Sequence, residues 1–122
     1  MYTKSNEIGA IGEKKVAEYL KSKGCIIIKR NWKDRYGEVD IIAQDDKNII
    51  FVEVKTRSFK SLVSGNEAID IGKMKRIRNE AVMFTKRLNT DLEPRIDTAE
   101  VTYYKKDDGT TGWKLNYIKS AF

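Results

Sequence analysis

Histidine is missing from this 122-residue chain, and cysteine and proline each occur once, at Cys25 and Pro94. Without histidine there is no imidazole base, no Ser-His or Cys-His nucleophile pair and no HExxH zinc site. A lone cysteine excludes an internal disulfide and any multi-cysteine zinc centre. Catalysis, if there is any, rests on carboxylates, lysines, hydroxyls or a bound metal. No apolar stretch is long enough to span a bilayer, and no signal-type hydrophobic segment follows Met1. A cytoplasmic location is therefore expected.

Charge and a modest apolar content are what the chain does have. Hydrophobic residues make up 40% and charged residues 34%, enough for one core under a charged surface and so for a single domain over residues 1–122. Lys plus Arg number 24 against 18 Asp plus Glu, a net charge of +6. A basic domain favours polyanions, because each neutralised phosphate releases counterions. The same excess serves solubility equally well.

Hydrophobic periodicity predicts the elements. From Asn6 to Lys23, Ile8, Ile11, Val16, Tyr19 and Leu20 recur at helical spacing, and Gly24 stands where a helix-ending glycine belongs. Cys25 to Lys29, Glu38 to Ala43 and Asn48 to Thr56 read as strands. The polar turn Gln44-Asp45-Asp46-Lys47 makes the second and third an antiparallel hairpin. Ser58 to Gly65 reads as a loop. A second helix is expected from Asp70 to Leu88, with Met74, Ile77, Ala81, Phe84 and Leu88 as its apolar stripe. Arg95 to Tyr104 and Trp113 to Ile118 complete the set as strands about an Asp107-Asp108-Gly109 turn. The order is α-β-β-β-α-β-β, an α/β arrangement with one central mixed sheet flanked by helices.

The chemistry concentrates in Gly37-Glu38-Val39-Asp40 and Phe51-Val52-Glu53-Val54-Lys55-Thr56-Arg57. Alternation puts Glu53 and Lys55 on one face of a strand, and Val52 and Val54 on the other. By the same rule Asp40 shares a face with Glu38 and Ile42. A turn centred between Asp46 and Lys47 sets Asp40 directly opposite Glu53, with Cβ atoms roughly 5 Å apart. Two acids so placed repel, and a hard divalent cation such as Mg²⁺ compensates them. Lys55 adds a cation to that face, suited to positioning water or to stabilising charge on a phosphorane. An ordinary exposed cross-strand pair has the same spacing. The apolar strand around Glu53 argues for a pocket instead.

Three further features are clues to the same chemistry. Glu13 lies within about 20° of Leu20 on the first helix, at the border of the buried stripe, where a carboxylate needs a partner or bends out to solvent. Lys73, Lys75, Arg76 and Arg78 crowd the start of the second helix, where cations oppose the dipole unless a phosphate is near. A solvated basic face is the plainer alternative. Asn31, Trp32, Arg35 and Tyr36 mix aromatic and basic residues that suit stacking on or clamping a strand. Trp32 is equally suited to a core.

At these residues the chain resembles the UPF0102 (YraN-like) family, within the PD-(D/E)xK restriction-endonuclease-like superfamily. The resemblance rests on Gly9, Gly12-Glu13, Ala17 and Tyr19-Leu20, on Arg30-Asn31-Trp32, on Gly37 to Ala43 and Phe51 to Arg57, and on Lys73, Arg76-Ile77 and Arg95-Ile96-Asp97. It implies a restriction-endonuclease-like fold similar to archaeal Holliday-junction resolvases. It also implies Asp40 and Glu53 as ligands of Mg²⁺ or Mn²⁺, Lys55 as the residue assisting the nucleophilic water, and Glu13 as the first-helix acid. Val39 stands where the superfamily has proline.

The expectation is thus a metal-dependent endonuclease acting on nucleic acid, DNA foremost and branched DNA among its candidates. Its catalytic residues would be Asp40, Glu53, Lys55 and Glu13. Asp40, Glu53 and the Val54 carbonyl would hold the metal, with Glu38 as an outer supporting acid. Arg57, Lys73, Lys75, Arg76, Asn31 and Arg35 would hold the nucleic acid. A four-way substrate would call for a two-fold homodimer. The alternatives are a non-catalytic nucleic-acid-binding module of the same fold and a protein-interaction domain.

Overall fold

The computed structural model describes residues 4–60 and 71–121. Its elements run α1 (Lys4–Ser22), β1 (Ile26–Lys33), β2 (Glu38–Gln44), β3 (Asn48–Ser58), α2 (Ile71–Leu88), β4 (Glu93–Lys105) and β5 (Thr111–Ile118). The order matches the one the periodicity predicts. Residues 61–65 of the expected Ser58 to Gly65 loop and the expected helix start at Asp70 lie outside the described residues.

One five-stranded sheet carries the strands in sequence order. The β3–β4 pair is parallel and every other pair antiparallel, so the sheet is mixed. Parallel neighbours need a crossover, and α2 lies in it. The helices take opposite faces. Val16, Ala17 and Leu20 of α1 pack on Ile41, Ala43, Ile50, Val52, Ala99 and Val101. Ile77, Ala81 and Phe84 of α2 pack on Val39, Ile42, Ile49 and Phe51. Burial on both faces explains why β2 and β3 read as continuous apolar runs.

Local chemistry fixes the joints. Gly24 (φ 87°) ends α1, with Cys25 N–H donating to the Leu20 carbonyl and Gly24 N–H to that of Lys21; this is a Schellman motif. In the β2–β3 turn, Asp45 Oδ1 accepts from Lys47 N at 2.9 Å and Asn48 N at 2.7 Å. That Asx turn locks the register Gln44–Ile49, Ala43–Ile50, Ile42–Phe51 and Ile41–Val52. At Gly12 a Cβ would overlap Thr56 Oγ1, so the glycine is what lets α1 lie directly on β3.

Several boundaries move. β1 runs past the expected Lys29 because its polar end continues the ladder to Lys33–Glu38. β3, β4 and β5 are also longer than predicted, since pairing extends from Asn48–Glu93 to Ser58–Tyr103 and from Thr98–Ile118 to Lys105–Thr111. Ile11, assigned to the α1 stripe, is 42% exposed. It stands about 180° round the helix from Leu20 at 100° per residue. The α2 stripe loses Leu88, which is exposed, and gains the fully buried Glu80.

A buried acid ties β4 to β5. Asp97 is 0% exposed. It accepts hydrogen bonds from Arg95 Nε and Nη2, both at 2.9 Å, from the Tyr117 hydroxyl at 2.6 Å and from Ser120 N at 2.9 Å. Burial and the neighbouring Asp97 carboxylate push the Tyr117 hydroxyl well above its ordinary pKa of 10.0, so it remains a donor.

Candidate active site

The β1–β2 ladder pairs Arg30 with Ile41 and Trp32 with Val39, which sets Asn31 opposite Asp40. Ile41 faces the α1 core, whereas Val39 and Trp32 both face the α2 core. Residues two apart in a regular strand share a face, so both strands turn over at this point. Asn31 takes the left-handed conformation (φ 51°) that accompanies the turn, and asparagine tolerates it well. The regular alternation expected to group Asp40 with Glu38 and Ile42 does not hold here. Asp40 instead reaches across to β3, and its Oδ2 accepts the Val54 N–H at 2.7 Å.

That hydrogen bond follows the last β2–β3 pair, Ile41–Val52. The ladder ends there; Asp40 and Glu53 lie one step beyond it, close enough for the charge of Glu53 to raise the pKa of Asp40. In a strand a residue's N–H and C=O point to the same side, so the Val54 carbonyl also lies toward Asp40. Val52 and Val54 pack on the α1 side, and Glu53 takes the α2 side. Glu53 is only 4% exposed, which decides against a solvated cross-strand pair.

Lys73 of α2 reaches Glu53, with Nζ 3.3 Å from Oε1. It lies within about 20° of Phe84 on the helical wheel, the buried side of α2. In the sequence that position reads as a cation on an apolar stripe. The expectation groups Lys73 with the outer basic residues; the fold instead places it inside the acidic cluster.

The electrostatics of the cluster are strained. Burial raises the pKa of Asp40, and the charges of Glu53 and Glu38 add to it; the Val54 N–H and Lys73 oppose the rise. Glu13 is likewise raised by burial and by Asp40, against a hydrogen bond from Asn31 and the charges of Arg30 and Lys73. Burial opposes the charge on Lys73, but Glu53 and Asp40 outweigh it and hold the ammonium above its ordinary 10.5. Acids from α1, β2 and β3 thus crowd one end of the sheet against one lysine of α2.

The other expected residues divide. Lys55 follows Glu53 on the same face and stands in register with Glu100. Arg57 continues that face, beside Thr102. Asn31 is a partner of Glu13. Arg76 borders the β1–β2 turn, where a Cβ at Gly37 would overlap its carbonyl oxygen. Lys75 is exposed, about 160° round α2 from Lys73, and does not join the cluster. Trp32 is a core residue. It packs edge-on against Phe84 at 5.5 Å and donates from Nε1 to Glu80 Oε1 at 2.9 Å, so it is not placed to stack on a ligand.

Among the described residues, no three His, Cys, Asp or Glu side chains form a ready cage for a metal. Mg²⁺ does not require one, since it keeps several waters and takes one or two carboxylates plus substrate phosphates. Asp40, Glu53 and the Val54 carbonyl are oxygen donors of that kind, and the mutual repulsion of the two acids is what a divalent ion relieves.

The model of the family described as "Uncharacterised protein family UPF0102" matches residues 12–101. The chain belongs to this family. A UPF0102 protein of Caldanaerobacter subterraneus is 38% identical over 116 residues, covering 94% of this chain and 93% of the relative. One from Parabacteroides distasonis is 37% identical over 119 residues, covering 98% and 94%. One from Clostridium botulinum is 35% identical over 124 residues, covering 100% and 98%. The UPF0102 match contains Glu13, Asp40, Glu53, Lys55 and Lys73, every residue of the cluster. Among the described residues, no helix is long and apolar enough to cross a membrane.

Proposed function

We propose that this UPF0102 protein is a metal-dependent nuclease that hydrolyses phosphodiester bonds, with DNA as its substrate. The observation that carries the reading is the buried Glu53 whose charge acts on Asp40, with Glu13 near Asp40 and both Asp40 and Glu13 pushed up in pKa. Perturbed, crowded acids of this kind are costly to a fold and concentrate where chemistry is done.

Asp40, Glu53 and the Val54 carbonyl would hold Mg²⁺ or Mn²⁺. Bound there, the ion would supply Lewis-acid stabilisation of the phosphate and an activated water. The chain's own residues do the rest. Lys55, on the Glu53 face, orients the attacking water and opposes charge building on the phosphate oxygens. Glu13 supports the site from the α1 side through water, and Glu38 adds to its negative potential. Lys73 holds the Glu53 carboxylate in place while no ion is there. Arg57 and Arg76 flank the cluster and supply positive charge for the phosphate backbone.

The test is a cleavage panel of linear, nicked, single-stranded and four-way DNA, with RNA alongside, in Mg²⁺, in Mn²⁺ and in EDTA. Cleavage with metal, lost in Asp40→Asn, Glu53→Gln and Lys55→Met with DNA binding retained, is the expected result. No cleavage of any substrate refutes it.

The Lys73–Glu53 pair favours one second reading. A built-in counterion lets the cluster stand without metal, as a non-catalytic binding module requires. Under that reading Asp40→Ala changes stability alone and leaves nucleic-acid affinity the same with and without Mg²⁺.

A further inference from the structure

The β1–β2 turn and Arg76 of α2 line an open cavity of about 420 Å³, whose walls include Lys33, Arg35, Tyr36 and Glu38. Its size falls in the range of small-molecule sites. Its position is fixed by two neighbours of the acidic cluster. Glu38 is two residues from Asp40 and raises the pKa of both Asp40 and Lys73. Arg76 is one helical turn beyond Lys73, about 4.5 Å along the axis. The cavity and the cluster therefore share a wall.

Its charge is positive. Asp34 also lines it, but that carboxylate is occupied. Oδ2 accepts from Arg87 Nη2 at 2.7 Å, and Oδ1 from the N–H groups of Tyr36 at 2.8 Å and Gly37 at 3.3 Å. Lys33, Arg35 and Arg76 then face Glu38 alone among the lining acids. The cavity also has a planar wall. Arg35 Nη2 donates to the Tyr36 hydroxyl at 2.8 Å, and its guanidinium lies 4.9 Å from the ring centre. Arg87 lies 5.7 Å from the same ring. Tyr36 is thus held in one orientation, with its guanidinium neighbour exposed.

A duplex offers a protein its phosphates and groove edges, whereas a cavity with a planar wall takes a base only when that base has left the stack. We propose that this cavity binds an unpaired nucleotide next to the scissile phosphate. Its phosphate lies against Arg76 and Lys33, and its base against Tyr36 and Arg35. The preferred substrate is then a strand that is single or splayed at the cut, as at an end, a gap or a branch. The location of the scissile phosphate rests on the nuclease reading above; the affinity of the cavity for an unpaired nucleotide does not.

The experiment measures binding in EDTA, where cleavage cannot interfere. A fluorescent single-stranded oligonucleotide and a blunt duplex of the same sequence are titrated against wild type, Arg35→Ala, Tyr36→Ala, Tyr36→Phe and the distant control Lys106→Ala. Tyr36→Ala should weaken single-strand binding about fivefold or more, the lower end for loss of a base-stacking contact. Arg35→Ala should weaken it comparably, because it removes the other half of the surface the base rests on. Tyr36→Phe, which keeps the ring but loses the Arg35 hydrogen bond, should fall between wild type and Tyr36→Ala; Lys106→Ala should bind as wild type, and duplex affinity should change little throughout. Equal losses on both substrates, or none, overturn the proposal, provided thermal melts show the variants folded. A wild type that cuts nothing but shows this single-strand pattern refutes the nuclease and leaves the cavity standing. A wild type that cuts while the cavity variants bind normally does the reverse.

Discussion

Replacing Asp40 by asparagine should make the protein more stable and inactive at once. The carboxylate feels the charges of Glu53 and Glu38 and is partly buried. Burial and those charges outweigh Lys73 and the Val54 N–H, so the ionised form is disfavoured relative to water. Asparagine keeps an oxygen for the Val54 N–H, now 2.7 Å from Oδ2, and removes the charge. Like charges directly opposite on a sheet cost roughly 0.2–1 kcal/mol. Some charge assistance to the hydrogen bond is lost, so the net gain should be a few tenths to about 1 kcal/mol, or up to about 5 °C in Tm for a chain of this length. Mg²⁺ should reverse the ranking. An ion at a hundred times its Kd stabilises the wild type by about 2.7 kcal/mol and a variant that cannot bind it not at all. Urea unfolding at pH 7, in EDTA and in Mg²⁺, measures both. A variant less stable than wild type in EDTA refutes the reading of Asp40 as a strained residue. Equal stabilisation of both proteins by Mg²⁺ refutes its role as a ligand.

Other perturbations test neighbouring parts of the argument. Lys73→Met keeps the packing of the aliphatic stem but strips Glu53 of its counterion. Because the lysine is 35% exposed, the loss should be about 1–3 kcal/mol, below the 3–5 kcal/mol of a fully buried pair. Glu53→Gln in the same chain should restore much of it, read from urea midpoints. Asp97→Ala leaves Arg95 and Tyr117 facing an empty acceptor position in the interior and should cost about 3–5 kcal/mol by the same measurement. The pH dependence of stability should carry two opposed contributions, from Asp34 of the β1–β2 turn and from Glu80 of α2. Burial would raise Asp34, but hydrogen bonds with Glu80, Arg87 and the Tyr36 and Gly37 N–H groups outweigh it and hold its pKa at about 2, against an ordinary 3.8. Its stabilisation is full above 3.8 and disappears as pH falls toward 2. Glu80, raised by burial and by Asp34, binds its proton more tightly when folded, so its contribution declines as pH rises from 4.5 through its folded value. Urea midpoints from pH 2 to 7 should show Asp34→Asn flattening the acid limb. Glu80→Gln should gain on wild type toward neutrality.

Much of the cluster is legible in the sequence because its parts lie close in the chain or on one strand. The Asp45 turn sets the hairpin register by local hydrogen bonds alone, so the approach of Asp40 to Glu53 follows from the positions of the turn residues. Glu13 is marked by its angle on a helix. Trp32 stays open between a stacking and a core role, because a mixed aromatic and basic string supports both; the contacts with Phe84 and Glu80 decide for the core. Glu80 escapes a sequence reading because a glutamate on a basic helix reads as solvated. Its burial rests on the Trp32 N–H and the Asp34 carboxyl, carried on other elements, and on Arg87 3.6 Å away.

The sequence by itself determined the order of elements, the two-sided burial of β3, and the hairpin register that brings Asp40 toward Glu53. Each follows from periodicity or from turn chemistry, which act over a few residues. Tertiary structure alone decided the rest. The reversal of both strands at Asn31 and Asp40 depends on which helix covers which face. The capture of Glu53 by Lys73 depends on how α2 lies across the sheet, and the cavity between Tyr36 and Arg76 depends on Gly37 letting the turn touch the helix. These are contacts between elements far apart in the chain. Their geometry is set by packing, to which no local pattern responds.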